Sequence, residues 1–251
     1  MLEIIDHGRI REIRMANLPV NALNPKFVTL LTRSVHDALT ESDAVVLSGH
    51  RGMFCAGLDV VELMQLNREG MRAFWRAFLK LLESIACSPI PVAAAITGHS
   101  LAGGAILSLM TDYRVMSHGK YKIGLNETRV GLVLPWLLQD AMGRLVGLRI
   151  AEKMMVAGTV VDPEHALGIG FVDALETGYE ATIQNAVEWC KELLALPRHS
   201  MLGNRAIARA YFKQSFADHP DEGVEAFLDT WFSDETQYIL NALIARLKSK
   251  N

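Results

Sequence analysis

The first part of the chain alternates between the hydrophobic spacing of strands and that of helices. From Ile10 to Met15, apolar and charged side chains alternate, which predicts a half-buried strand. Asn24 and Pro25 follow, and an N-cap residue before a first-turn proline predicts that a helix begins there. The apolar face of that helix consists of Phe27, Leu31, Val35, Ala38 and Leu39. The helix is therefore expected to pack on a sheet.

Two short aliphatic runs predict strands that are buried on both faces. Ala44 to Leu47 and Val92 to Ile96 consist of apolar residues without polar alternation. Between them, a second apolar face at helical spacing is formed by Phe74, Phe78, Leu81, Leu82 and Ile85. The Ser88-Pro89 pair predicts the end of that helix. Strands that alternate with helices indicate an α/β core.

Beyond about residue 178, the pattern is helical throughout. Helices are predicted over Tyr179 to Leu196, Arg198 to Phe212, Asp221 to Phe232 and Asp234 to Leu247. The last of them carries an apolar stripe that consists of Leu240, Leu243, Ile244 and Leu247. This stripe is expected to cover the core or a neighbouring subunit. The pattern therefore predicts a core over residues 1–195 and a C-terminal helical region over residues 196–251.

The composition is that of a folded protein, since 50% of the 251 residues are hydrophobic and 21% are charged. The formal net charge of −3 indicates no basic surface for nucleic acid or for an anionic membrane, so neither is expected as a partner. The N-terminal residues lack the pattern of a signal peptide, and the apolar runs are shorter than the ~20 residues that span a bilayer. The spacing of Cys55, Cys87 and Cys190 suggests neither a disulfide framework nor a metal site. A reducing compartment, the cytoplasm, is therefore expected.

Two glycine-containing stretches that are distant in the sequence offer candidate chemistry. Gly103 and Gly104 lie between an apolar strand and a helical run, so backbone N–H groups would be exposed at a helix N-terminus. Such donors can stabilise an oxygen atom that becomes negatively charged during a reaction. Alternatively, these glycines only permit close packing of a helix on a sheet. The other stretch, Phe54 to Asp59, also has a structural interpretation as a turn in which Asp59 caps a helix over Val60 to Met64.

Together, the motifs resemble those of the enoyl-CoA hydratase/isomerase, or crotonase, superfamily. The matching segments, within residues 1–195, are Asn21-Ala22-Leu23, Phe54 to Asp59, Gly98 to Gly104, Asp112-Tyr113-Arg114, Ile123 to Thr128 and Gly168 to Asp173. The resemblance implies a crotonase-type ββα spiral core and a fatty enoyl-CoA thioester as substrate. It implies no separate cofactor, because CoA is part of the substrate. It also implies that the C-terminal helical region drives assembly into a homotrimer or a dimer of trimers.

The resemblance further implies roles for individual residues. In the family, the backbone N–H groups at the positions that match Leu58 and Gly103 hold the thioester oxygen. The loop near Asn21 to Leu23 contributes to wrapping the CoA. The acyl-CoA-binding set implied by the resemblance consists of Ala56, Gly57, Leu58, Asp59, Gly103 and Asn126.

The number of carboxylates favours one reaction of the family. Hydratases that resemble its best-known members use two glutamates, and this chain has Ile106 at the first position and Glu127 at the second. A single carboxylate suits an isomerase, in which Glu127 removes a proton from C2 and returns it at C4. The segment Ile123 to Thr128 is similar to mitochondrial-type Δ3,Δ2-enoyl-CoA isomerases, so we expect this activity. The apolar surroundings favour a raised pKa of Glu127, whereas without the resemblance a loop glutamate would be interpreted as solvated.

Other functions fit parts of the pattern. An enoyl-CoA hydratase shares the same backbone donors, whereas a dienoyl-CoA isomerase needs a second acid where this chain has Pro135. Gly98 to Ala102 reads as G-x-S-x-A, close to the nucleophile motif of serine esterases, with Ser100 as the nucleophile. The acids and histidines available for such a triad are Asp140, Asp162, Asp173, His165, His199 and His219. A related peptidase fold carries its serine where this chain has Ala102, and a non-catalytic acyl-CoA-binding protein is a further alternative.

Overall fold

The computed structural model describes residues 1–218 and 222–249, and in these residues two β-sheets are surrounded by helices. The larger sheet contains six strands in the spatial order β1 (Leu2–His7), β2 (Ile10–Met15), β3 (Ala44–Ser48), β5 (Val92–Ile96), β7 (Tyr113–Ser117) and β9 (Ala174–Glu176). The smaller sheet consists of β4 (Gly52–Cys55), β6 (Gly98–Leu101) and β8 (Ile123–Gly124). The pair β1 and β2 is antiparallel, and the other neighbouring strands are parallel.

Helices connect the strands and make up the C-terminal part of the described chain. They are α1 (Pro25–Glu41), α2 (Val60–Leu63), α3 (Arg68–Ala86), α4 (Gly103–Leu109), α5 (Trp136–Val146), α6 (Leu148–Ala157), α7 (Pro163–Gly168), α8 (Tyr179–Leu194), α9 (Arg198–Ala208), α10 (Ala210–Asp218), α11 (Glu222–Trp231) and α12 (Asp234–Lys248). A single 3-10 turn, Glu127–Val130, follows β8. Within the described residues, no helix is both long and apolar enough to cross a membrane.

The predicted strands and helices of the core are confirmed where the hydrophobic pattern was strong. Strands β2 and β5 have the predicted bounds. Helix α1 begins at Pro25, and the side chain of Asn24 accepts a hydrogen bond of 2.8 Å from the N–H of Phe27. The five residues of the predicted apolar face of α3 are all buried. The apolar faces of the helices and the buried strands therefore pack against one another, as expected for an α/β core.

The secondary structure predicted from the sequence differs from the observed one at two short strands and at one helix. The short strands β4 and β6 were not predicted, because they depend on pairing with each other more than on their own hydrophobic pattern. The helix predicted over Arg198 to Phe212 is interrupted at Arg209, whose backbone leaves the helical conformation with φ −102° and ψ 7°. Its guanidinium donates to the carbonyl oxygens of Ala86 and Met110, which holds this bend against the core. Asp221, the predicted start of the next helix, lies outside the described residues.

The two faces of the larger sheet have different partners. Helix α8 covers one face, where Ile183, Val187 and Cys190 pack against aliphatic residues of β3, β5 and β7. The other face joins the main core, which includes the apolar faces of α1 and α3. Gly98, where the chain passes from β5 into β6, packs so closely on the backbone of Gly52 that a Cβ atom would collide with it. The starts of β4 and β6 therefore lie side by side. Because the two strands pair in parallel as far as Cys55 and Ser100, the chain segments that follow them also meet.

Candidate active site

A cavity of about 1000 Å³ lies where the segments after β4, β6 and β8 come together. Five of the residues of the predicted acyl-CoA-binding set line it, namely Ala56, Leu58, Asp59, Gly103 and Asn126. Glu127 and Ile106 also face it. The structure thus brings together residues that are as far apart in the sequence as Ala56 and Glu127.

Gly57 does not line the cavity but allows the two glycine-containing stretches to meet. Its φ of +97° belongs to the region that favours glycine. A Cβ atom at this position would lie 2.8 Å from the Cβ atom of Ala102 and 3.2 Å from the backbone nitrogen of Gly103. Gly57 is therefore required for the close approach of the segments after β4 and β6.

In the first stretch, one backbone N–H group is left available. The N–H of Ala56 donates to the carbonyl oxygen of Val20 at 3.0 Å, and that of Asp59 donates to the carbonyl oxygen of Leu23 at 2.9 Å. The N–H of Gly57 contacts Sγ of Cys55 at 3.4 Å. Leu58 lies on the cavity, and its N–H has no acceptor among the described residues. The carbonyl oxygen of Gly57, in the same trans peptide group, accepts a hydrogen bond from the N–H of Leu23, so the N–H of Leu58 points away from Leu23.

Asp59 is the N-cap of helix α2, as the structural interpretation of the sequence predicted. Its side chain accepts a hydrogen bond of 3.1 Å from the N–H of Glu62 and thereby caps α2. The predicted cap is therefore confirmed, although the helix ends at Leu63 and Met64 is its C-cap.

In the second stretch, the available N–H group is at the start of α4. Ala102 is the N-cap, and its N–H donates to the carbonyl oxygen of Gly124 at 2.9 Å. Gly103 is the first helical residue and lines the cavity, and no acceptor in the described part of the chain takes its N–H. The first N–H groups of a helix have no partner within the helix and carry part of its positive dipole. The N–H groups of Leu58 and Gly103 are thus both available to an oxygen atom of a bound molecule.

The backbone of Ala102 is strained at this point. Its φ of +47° and ψ of −119° lie in a region that residues with a side chain rarely adopt. The conformation turns the chain sharply from β6 into α4, so that Gly103 comes to lie beside Gly57. Strain of this kind persists where surrounding contacts impose it, and it occurs often at functional sites.

Glu127 is the buried carboxylate of the cavity. The residue is 6% exposed, and its Oε2 atom has no hydrogen-bond partner among the described residues. Burial raises the pKa of Glu127 from the ordinary 4.5 to about 7, and a contact with its own backbone N–H opposes the shift only in part. The expectation of a raised pKa is therefore confirmed, and the interpretation of Glu127 as a solvated loop acid is wrong. A carboxylate of this kind can accept a proton and return it near neutral pH.

The other polar and apolar groups near Glu127 define its surroundings. Ile106, on α4, is 1% exposed and brings a hydrocarbon surface to the cavity. Two further carboxylates line the cavity, but Asp59 caps α2, and Glu62 is exposed and accepts a hydrogen bond from Asn24. Oδ1 of Asn126 is buried and has no partner within the described residues.

The C-terminal helices complete the cavity wall, which the sequence did not indicate. Phe227 of α11 stacks on Trp75 of α3 with ring centroids 3.6 Å apart and ring planes within 1° of parallel. The apolar wall includes Trp75, Phe78, Ile106, Val130, Leu132, Phe227, Trp231, Leu243 and Leu247. Two residues of the predicted apolar stripe of α12 thus face the cavity, while Leu240 is buried in the core. Hydrophobic spacing identified this stripe but could not reveal what it covers.

The structure does not support Ser100 as a nucleophile. Ser100 lies within β6, is fully buried and does not line the cavity. Its hydroxyl has no hydrogen-bond partner in the described part of the chain, whereas a nucleophilic serine needs a histidine base. The sharp turn between strand and helix is occupied by Ala102 instead. The serine esterase interpretation is therefore wrong, and His219, one of its candidate residues, lies outside the described residues. Within residues 1–218 and 222–249, no group of three or more His, Cys, Asp or Glu side chains is placed to hold a metal ion.

Comparisons with known proteins give consistent matches over most of the chain. A family model described as Enoyl-CoA hydratase/isomerase matches residues 6–234. The human protein "Enoyl-CoA delta isomerase 1, mitochondrial" is 30% identical over 245 residues, which cover 95% of this chain and 80% of the human protein. The Mycolicibacterium paratuberculosis protein "Probable enoyl-CoA hydratase echA17" is 30% identical over 200 residues, which cover 78% of this chain and 76% of that protein.

A solved structure is similar over the full length. The crystal structure of human mitochondrial delta3-delta2-enoyl-CoA isomerase matches with a TM-score of 0.93 at 28% sequence identity. The match covers 100% of this chain and 99% of that chain.

Proposed function

Because the chain belongs to the enoyl-CoA hydratase/isomerase family, we propose that it is a Δ3,Δ2-enoyl-CoA isomerase that moves the double bond of a fatty enoyl-CoA from C3 to C2. The family and the fold, a crotonase-type α/β core with a C-terminal helical region, are those expected from the sequence. The observation that carries the proposal is that Glu127 is the single buried carboxylate among the described residues that line the cavity, with Ile106 at the position where a second acid would be needed.

The proposed reaction requires one proton to leave C2 and one to arrive at C4. The carboxylate of Glu127 removes a C2 proton, and the electron pair of the broken C–H bond forms a C1–C2 double bond while the thioester oxygen takes the negative charge. The resulting dienolate is reprotonated at C4 by the carboxylic acid of Glu127, which leaves the double bond between C2 and C3. Because the same group first accepts and then donates the proton, a pKa near 7 suits both steps.

The backbone donors of Leu58 and Gly103 are proposed to hold the thioester oxygen. Neither N–H has another acceptor among the described residues, and both residues line the cavity. Hydrogen bonds that are already in place when charge develops stabilise the dienolate, and the loss of one such donor typically costs about 3 to 4 kcal/mol. The acyl-CoA-binding role of Ala56, Asp59 and Asn126 belongs to the same proposal, and Gly57 is proposed to contribute by holding the two glycine-containing stretches together. The reaction needs no cofactor besides the CoA of the substrate.

The test is to give the protein 3-enoyl-CoA and 2-enoyl-CoA in separate assays and to follow the absorbance of the conjugated enoyl thioester. We expect absorbance to rise with 3-enoyl-CoA and to change little with 2-enoyl-CoA. Glu127→Gln should abolish the rise while acyl-CoA binding persists. Ser100→Ala is the matched control, because Ser100 is buried outside the cavity, and it should keep the activity. Hydration of 2-enoyl-CoA without isomerisation of 3-enoyl-CoA would favour a hydratase, and binding without turnover would favour an acyl-CoA-binding protein.

The domain boundary and the oligomeric state of the protein are also part of the proposal. We propose a boundary near residue 195 between the core and the C-terminal region, which contributes to oligomerisation as well as to the cavity wall. The proposed assembly is a homotrimer or a dimer of trimers, which light scattering on the purified protein would test.

A cytoplasmic location is proposed because the three cysteines of the protein are free. The human relative is named as mitochondrial, so fractionation of cells that express the tagged protein is needed to decide.

A further inference from the structure

A hydroxyl group of the last helix contacts the loop that carries Glu127. Thr236, in the first turn of α12, is 1% exposed, and its Oγ1 donates a hydrogen bond of 2.8 Å to the carbonyl oxygen of Gly131. The approach is so close that a Cβ atom at Gly131 would collide with the Thr236 hydroxyl and lie 3.2 Å from its Cα atom. Gly131, with φ of +81°, therefore allows α12 to pack directly on the loop backbone.

The peptide groups at this contact also hold the backbone of Glu127. The N–H of Gly131 caps the 3-10 turn by donating to the carbonyl oxygens of Glu127 and Thr128. The N–H of Leu132, in the peptide whose carbonyl accepts from Thr236, donates to the carbonyl oxygen of Glu127 at 3.1 Å. A continuous series of hydrogen bonds therefore runs from the Thr236 side chain to the backbone of Glu127.

The position of the Glu127 carboxylate depends on this backbone. Its Oε2 atom has no hydrogen-bond partner within the described chain, so no side chain holds this oxygen in place. The start of the turn is held from the other side, where Oγ1 of Thr128 donates to the carbonyl oxygen of Met155 at 2.7 Å. Thr236 holds the end of the turn, and together the two contacts fix the turn between α6 and α12.

Helix α12 also lines the cavity, so the same helix borders both the cavity and the loop that carries Glu127. Leu243 and Leu247 face the cavity, and Thr236 lies on the same helix. We propose that Thr236 is a positioning residue, which ties the position of α12 at the cavity wall to the placement of Glu127. The proposal rests on the proposed isomerase function, since it assigns the positioned group to that reaction.

The experiment compares Thr236→Val, which removes the hydroxyl, with Thr236→Ser, which keeps it. Loss of one hydrogen bond should lower kcat for 3-enoyl-CoA about two- to tenfold. KM should stay within about twofold, because the reacting group rather than the binding surface is displaced. Thr236→Ser should restore kcat. If valine prevents folding, Thr236→Ala removes the same hydroxyl and gives the same comparison.

Thr182→Val is the matched control for a purely structural effect. Thr182 is also fully buried in the first turns of a helix, and its hydroxyl is hydrogen-bonded to Ser117 and to the carbonyl oxygen of Gly178. It lies on α8, on the other face of the larger sheet, so this variant should lose stability and keep its kcat. An unchanged kcat in Thr236→Val, an equal fall in Thr182→Val, or a rise in KM alone would overturn the proposal.

Hydrogen exchange separates the positioning role from the isomerase function. Peptides that cover residues 127–133 should exchange about two- to tenfold faster in Thr236→Val than in the wild type or in Thr182→Val. If the wild-type protein does not isomerise 3-enoyl-CoA, the proposed function fails, and exchange still tests the link between α12 and the turn. Unchanged exchange in Thr236→Val would refute that link even if the protein is an active isomerase.

Discussion

The burial of Glu127 predicts that the group proposed to perform the reaction destabilises the folded protein at neutral and alkaline pH. Burial raises its pKa from 4.5 to about 7, so the folded protein binds this proton more tightly than the unfolded chain does. The corresponding stability is therefore present at low pH and is lost as the pH rises through about 7. With 1.36 kcal/mol for each pKa unit, the ionised carboxylate costs about 3 kcal/mol once the pH is well above 7.

The variant Glu127→Gln measures this cost, because glutamine has a similar shape and does not ionise. We expect the free energy of unfolding of the variant, relative to the wild type, to increase by about 2 to 3 kcal/mol between pH 5 and pH 8.5. The measurement is urea unfolding of both proteins at the two pH values and at one protein concentration, since assembly also changes stability.

A matched control is Glu69→Gln, at an exposed position in the first turn of α3. Its relative stability should change by less than about 0.5 kcal/mol between the two pH values, as for most surface substitutions. A stability difference between Glu127→Gln and the wild type that is the same at pH 5 and pH 8.5 would refute the reasoning. It would mean that the carboxylate is not buried at a raised pKa in solution.

Four further predictions concern activity and stability. The kcat/KM for 3-enoyl-CoA should fall about tenfold per pH unit below about pH 7, because Glu127 must be ionised to accept a proton; a profile that is flat down to pH 5 would contradict this. Gly57→Ala should lower kcat/KM by on the order of 10²-fold, because its Cβ atom would displace Ala102 or the N–H of Gly103, and wild-type kinetics would contradict it. Ala102→Gly should raise the free energy of unfolding by about 1 kcal/mol, because glycine relieves the backbone strain. Urea unfolding measures this change, and a lower free energy of unfolding in the variant would contradict the strain. Ile106→Glu should lower stability by about 3 kcal/mol by burying a second carboxylate in the wall, and hydration of 2-enoyl-CoA should become measurable; unchanged stability would show that position 106 is not buried.

The sequence predicted those parts of the fold and site that depend on local patterns or on family motifs. The apolar faces of α1 and α3 were visible as helical spacing, and β2 and β5 were visible as strand patterns. The site residues were found through resemblance, since neither glycine-containing stretch is specific alone. The raised pKa of Glu127 followed from the apolar residues beside it, and the burial agrees with that expectation.

The remainder depends on contacts between distant segments. Strands β4 and β6 are short, and pairing between them matters more than their own composition. The stripe on α12 was visible, but hydrophobic spacing gives the direction of an apolar face and not its partner. The contact of Phe227 with Trp75 and that of Thr236 with Gly131 therefore appeared only once the chain was folded. Both contacts join the C-terminal helical region to the core. The first forms part of the cavity wall, and the second contacts the loop that carries Glu127.

The pairing of β4 with β6 also brings together the two segments that carry the proposed oxyanion donors. Cys55 pairs with Ser100, and Leu58 and Gly103 each lie three residues further along their segments. Neighbouring strands are about 4.8 Å apart whatever side chains they carry. The approach of the two segments therefore depends on this pairing and on the backbone conformations of Gly57 and Ala102, and not on side chains such as that of Ile106. Substitutions can therefore change the acids and the cavity walls, and with them the reaction, around backbone donors whose placement those side chains do not determine.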